Sequence, residues 1–184
     1  RGGTVVSHAT HNHDLLTWIG GPLVELRALT ATRVNDVETE DCAVALGRTA
    51  DGGLVTMNVT LGAARESSRL AWHFEHVTIE SSTEAYDPAG GPWTFTFRDD
   101  HTEAEADAVW AAMEPAPRQY VGQFQGFVDA LASGDEFPVT LVDAQASLEL
   151  VTAWYRSART GSVERLPLPP DHPDRSSWRP DGIA

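Results

Sequence analysis

Between residues 24 and 97 the apolar pattern takes on a period of two, and this constrains the fold more than any other feature of the chain. Val24, Leu26 and Ala28 alternate with Glu25, Arg27 and Leu29, and Cys42, Val44 and Leu46 alternate with Ala43, Ala45 and Gly47. Side chains two residues apart share one face of a pleated strand, so these segments read as strands with two distinct faces. Ala50-Asp51-Gly52-Gly53 is a hairpin signal that leads into a third strand over Leu54–Leu61. Leu70–Glu75 continuing through Val77–Ile79, and then Trp93–Phe97, are further strand candidates. Links of hairpin length join these segments, so the expectation is one open sheet of roughly five to seven strands, mostly antiparallel.

The flanks follow a different period. The stretch from Ser7 to Ile19 starts on a capping-type residue and ends at Gly20-Gly21-Pro22, which are helix start and stop signals. At about 100° per residue, Ser7, His11, Asp14 and Trp18 form one stripe of that helix, with Leu15, Leu16 and Ile19 beside it. Tyr120, Phe124, Phe127 and Leu131 recur at helical spacing before Ser133-Gly134, and Leu141, Leu148, Val151 and Tyr155 before Gly161. A shorter acidic helix is read over Glu103–Met113. Strands in one block and helices in another imply an α+β fold: a large open, mostly antiparallel sheet with helices packed on one face. Trp72, Phe74, Trp93, Phe95 and Phe97 read as core or sheet-covering residues, and the sheet's other face is left available for another subunit. From Leu166 onward Pro167, Pro169, Pro170, Pro173 and Pro180 exclude helix and central strand. Residues 1–168 are therefore read as one domain and 169–184 as a proline-rich strap or tail.

Composition narrows the chemistry. The 27 acidic and 13 basic residues leave a net charge of −14, which repels a nucleic-acid backbone. All the basic residues are Arg, so a Schiff-base Lys and a P-loop Lys are both excluded within this chain. The lone Cys42 cannot form an internal disulfide, and 184 residues suffice for a core without one. No apolar run has the length of a membrane span and no signal peptide opens the chain, so a cytoplasmic location is the expectation. The sequence begins with Arg1 and reads as a piece of something longer. No segment supplies G-x-G-x-x-G between a strand and a helix, so no residue of this chain is expected to bind a dinucleotide in that way.

The order of motifs then points to a family. Gly2-Gly3-Thr4-Val5-Val6-Ser7-His8-Ala9-Thr10-His11-Asn12-His13-Asp14 running on to Gly20 resembles the start of the C-terminal domain of the Gfo/Idh/MocA oxidoreductases, the glucose-fructose oxidoreductase and inositol dehydrogenase family. The resemblance continues through Val37–Asp41, Asp51–Val55, Tyr120–Leu131, Pro138–Ala144, Ala153–Gly161 and Val163–Leu168. It implies a substrate-binding domain that works beside an N-terminal Rossmann domain carrying NAD or NADP, with a sugar, cyclitol or related hydroxyl compound as substrate. It also implies a homodimer or higher oligomer formed through the sheet. The family's Asp-x-x-x-His-x-x-Asp helix falls on Ser7, His11 and Asp14, of which Ser7 departs from the pattern. A non-catalytic binding or dimerisation module derived from the family is the alternative.

The residues themselves fit that chemistry. Oxidising a hydroxyl requires loss of a proton as hydride leaves carbon, and imidazole is the side chain best suited to accept one near neutral pH, which makes His11 the candidate. Asp14, three residues on, is the local carboxylate, and Ser7 can hydrogen-bond but carries no charge. His11 also reads as a packing histidine, and Ser7 as the helix N-cap. His8, Arg65, Arg69 and His73 are candidates for the substrate-binding surface, with Arg65 and Arg69 able to clamp a polar or anionic ligand. His8 and His11 could share a helix face, but His13 points elsewhere, so no metal site is expected, and His8 and His13 read as pocket-lining or surface residues.

Overall fold

The structure, a computed structural model, describes residues 3–114, 117 and 119–177. A π-helical turn, Val5–Ala9, runs directly into α1, Thr10–Gly20. Three strands follow: β1 (Leu23–Ala31), β2 (Cys42–Thr49) and β3 (Leu54–Thr60). After a loop come β4 (Ala71–His73), β5 (Val77–Glu80) and β6 (Thr94–Phe97). The helices α2 (Asp100–Ala112), α3 (Gln119–Ser133) and α4 (Leu141–Thr160) precede a short β7 (Glu164–Arg165) and a 3-10 turn, Pro173–Arg175. This is an α+β fold, and every strand pairing in it is antiparallel.

The single sheet read from the sequence is divided in two. One sheet has the order β3-β2-β1-β7, and the other β4-β5-β6. The second sheet is anchored to α1 instead: Trp72 Nε1 donates to the Leu16 carbonyl at 3.3 Å, and a Cβ on Gly20 would lie 3.0 Å from the indole nitrogen. Glycine at that position lets the tryptophan approach the helix backbone. Trp93 then lies against Trp72, with ring centroids 5.8 Å apart. On the other side Phe95 and Phe97 pack on Trp110 of α2, at 4.9 and 5.9 Å.

The core lies between the four-stranded sheet and α4. Leu26, Ala28, Ala43, Ala45 and Met57 face Leu150, Val151, Ala153 and Trp154. The inward face of β2 carries its small residues, with Ala43 and Ala45 buried, while Val44 is 48% and Leu46 64% exposed. Short side chains leave room for α4 and its wholly buried Trp154 to sit close to the sheet. The larger aliphatics therefore populate the outer face, where Leu29 is paired with Val44 and Arg27 with Leu46.

Local chemistry fixes α4. Thr140 and Asp143 form a capping box at its start, and Gly161 adopts the left-handed conformation (φ 70°) that ends it. Buried Ser157 then ties helix to sheet, accepting from Ala28 N at 2.9 Å and donating to the Ser162 carbonyl at 2.5 Å. The strap after β7 lies back over α4. Leu168 is buried and its N–H donates to Glu149 at 2.9 Å, while Arg175 also bonds Glu149 and Arg159 bonds Asp174. Residues 178–184, including Pro180 of the expected tail, lie outside the described residues. Among the described residues no helix is long and apolar enough to cross a membrane.

Candidate active site

Ser7 is not the helix cap. The first amides are capped from elsewhere in the chain: Thr4 N donates to the Glu40 carbonyl at 3.2 Å and Val5 N to the Glu40 carboxylate at 3.0 Å. Tyr155 of α4 completes the arrangement, donating to the same carboxylate oxygen at 2.8 Å and accepting from Gly3 N at 3.2 Å. A carboxylate at a helix N-terminus meets both free amides and a favourable dipole. A Cβ on Gly3 would meet that carboxylate, so a larger residue here would displace the Glu40 side chain from its present seat. Burial and the Glu40 charge both push the Tyr155 phenol well above its ordinary range, keeping it a donor. The neighbouring Asp41 is buried and accepts from the amides of Arg33, Val34 and Asn35 at 2.7–2.8 Å, bonds that hold its carboxyl well below the usual range. Together Glu40 and Asp41 seat the start of the helix and shape the 33–35 turn.

Ser7 sits one turn inside the helix, within the π-helical segment. Its hydroxyl contacts the Gly3 carbonyl at 2.9 Å and His8 Nδ1 at 2.7 Å. It does not bond His11. The His8 ring in turn packs near Tyr86, with centroids 5.8 Å apart. π-Turns inside helices are frequent at functional sites, and this one lies at the position where the candidate residues begin.

His11 and Asp14 open onto a cleft of about 600 Å³ between α1, α4 and the strap. Trp18, Asp143 and Ser147 also line it. His11 is exposed and has no hydrogen-bond partner among the described residues. Asp14 is held from across the cleft, since Ser147 donates to its Oδ1 at 2.7 Å. The contact of Asp14 with Ser147, 133 positions away, carries no signal in a single sequence.

His13 is the most altered titratable group of the cleft wall. Only 6% exposed, it stacks on Trp154 with centroids 4.9 Å apart and an interplanar angle of 19°. Its Nδ1 and the Trp154 Nε1 are both buried without a hydrogen-bond partner. Burial alone lowers its pKa to about 4, so the ring is neutral at physiological pH. Of the other expected substrate-binding residues, Arg69 is ion-paired with Glu80. His73 Nδ1 lies 3.3 Å from Thr78 Oγ1, and Arg65 is exposed in the loop before β4. None of the three lines the cleft. Among the described residues no group of His, Cys, Asp or Glu could hold a metal ion.

Residues 1–85 match the model of a family described as the GFO/IDH/MocA C-terminal domain. In sequence over that stretch and in fold over nine-tenths of its length, the chain resembles the C-terminal domain of the Gfo/Idh/MocA oxidoreductases. The WlbA dehydrogenase from Bordetella pertussis, solved in complex with NADH and UDP-GlcNAcA, is 26% identical, with a TM-score of 0.71 over 91% of this chain and 46% of its own. Aldose-aldose oxidoreductase from Caulobacter crescentus has the same fold at 17% identity, a TM-score of 0.69, and coverage of 90% and 48%. Levoglucosan dehydrogenase, solved with NADH and levoglucosan, has it at 18% identity, a TM-score of 0.67, and coverage of 88% and 49%. The chain thus spans about half the length of the solved relatives it matches. The search of curated proteins gave no match.

Proposed function

We propose that this chain is the substrate-binding half of an NAD(P)-dependent oxidoreductase acting on a sugar, cyclitol or related hydroxyl compound. The observation that carries this reading is the placement of His11 and Asp14 together at the mouth of a cleft, on the helix whose sequence resembles the family's catalytic helix. The likeness to WlbA supports the nicotinamide, because that relative was solved with NADH. The relative solved with NADH is about twice as long as the part this chain matches, which leaves room in it for a second domain. The cofactor is therefore assigned to a Rossmann domain beside this one.

A bound nicotinamide supplies the acceptor for hydride. The residues of this chain supply the rest. His11, neither buried nor hydrogen-bonded, is free to take the hydroxyl proton on an imidazole nitrogen as the carbonyl forms. Asp14, fixed by Ser147 from across the cleft, presents a carboxylate to a substrate hydroxyl on the same wall as His11. His8 lies one turn earlier on the same helix. Arg65, Arg69 and His73 belong to a separate surface near the second sheet and are assigned no contact with the reacting carbon.

The outer face of the four-stranded sheet, carrying exposed Leu29, Val44, Leu46 and Leu54, is the surface we assign to self-association. The second reading, a non-catalytic module, is favoured by one observation: no side chain orients His11, and a base is normally held by a third group. The test is turnover. Protein containing both halves, offered neutral polyols and aldoses, reduces NAD or NADP under the first reading; binding of those compounds without any nicotinamide reduction supports the second.

A further inference from the structure

Ser7 stands where the family pattern has an acidic residue, and its hydroxyl is engaged on two sides. On one side is the Gly3 carbonyl at 2.9 Å, which can only accept; on the other is His8 Nδ1 at 2.7 Å. A hydroxyl has one proton. Both contacts are hydrogen bonds only if that proton goes to Gly3 and His8 donates its own Nδ1 proton to the serine oxygen. The opposite assignment, with serine donating to Nδ1, leaves the short approach of the hydroxyl to the Gly3 carbonyl as two oxygens with no proton between them.

We infer that Ser7 holds His8 in the Nδ1-protonated tautomer, so that His8 Nε2 is a dedicated hydrogen-bond acceptor on the π-helical turn that leads into α1. Three further observations bear on this. His8 Nε2 has no hydrogen-bond partner among the described residues, so its lone pair is available. The ring is half-buried and backed by Tyr86, whose own backbone is held at φ 64°, so its plane is confined on two sides. Gly3, which accepts the serine proton, is itself pinned by Tyr155, so the relay starts from a fixed point.

A neutral imidazole nitrogen without a proton recognises a donor, namely a hydroxyl or an amine, and is repelled by a carboxylate or phosphate oxygen in the same place. His8 does not line the cleft of His11 and Asp14, so Nε2 accepts from a hydroxyl only of a substrate that extends beyond that cleft; this role rests on the oxidoreductase reading, and the tautomer does not. Ser7 is then a positioning residue for His8, and the loss of the family's acidic side chain leaves His11 unassisted while creating a second, oriented imidazole.

The experiment is nitrogen-15 NMR of the full chain, recorded at a pH where His8 is neutral, with the two-bond couplings that separate the ring nitrogens. The expected result is a protonated Nδ1 and a bare Nε2 at His8. Ser7→Ala removes the acceptor and shifts the population toward the Nε2-protonated form, and Ser7→Thr, which keeps the hydroxyl, restores it. A native His8 with its proton on Nε2 overturns the inference without any variant. An unchanged tautomer in a folded Ser7→Ala does so as well. Neither result depends on a nicotinamide, so failure of the tautomer and failure of the oxidoreductase assignment are read separately.

Discussion

His13 shows how burial at a single position turns into pH dependence. Its pKa is lowered to about 4 by desolvation, while in the unfolded chain it returns to about 6.5. The unfolded state therefore binds a proton that the native state refuses as pH falls below the unfolded value. Stability from this group is full above pH 6.5 and is lost progressively down to about pH 4, and the whole shift corresponds to roughly 3 kcal/mol. His13→Phe, which keeps an aromatic ring on Trp154, should flatten the stability profile between those limits; chemical denaturation at a series of pH values measures it. A profile as steep as that of the native chain would place the titration elsewhere. The three histidines of this helix were visible in the sequence, but their environments were not. His13 was expected at a pocket wall or surface, and it does line the cleft. Its burial comes from Trp154, 141 positions away, and nothing local encodes that distance.

At the scale of elements, the strands and helices were legible because each repeats its period over several turns or pleats. The Asp51-Gly52-Gly53 turn between β2 and β3 and the Gly161 stop of α4 fell where expected, since left-handed backbone there needs glycine. The start of the first helix was not legible. Its cap is Glu40 from another segment, so the nearest hydroxyl, Ser7, looked like the cap and is instead one turn inside. The division into two sheets was equally hidden, because strand periodicity does not reveal which strands pair; Trp72 docking on α1 decides it. Two substitutions test these elements. Thr140→Ala breaks the capping box of α4 and should cost about 1 kcal/mol. Ser157→Ala strands the buried Ala28 amide and should cost about 1–3 kcal/mol. Equilibrium unfolding gives both, and a Ser157→Ala variant as stable as the native chain would mean that water replaces the hydroxyl.

For the whole molecule, the resemblance read from ordered motifs extended across nearly the full chain, and the fold agrees over nine-tenths of it. The outer sheet face makes a further prediction at this scale. If that face joins two copies, Leu46→Asp should shift the protein toward monomer in analytical ultracentrifugation with little change in folding, because Leu46 is already 64% exposed. An unchanged sedimentation profile would move the interface elsewhere. If this domain carries the proton acceptor of a nicotinamide-dependent oxidation, as proposed, turnover depends on His11. In protein containing both halves, the rate of NAD(P) reduction with a neutral polyol or aldose is compared between the native form and His11→Asn, with NADH affinity measured alongside. The expected result is a loss of about 10²–10⁴-fold in rate, the contribution of a positioned base, with NADH affinity unchanged. Turnover that survives His11→Asn intact would contradict it.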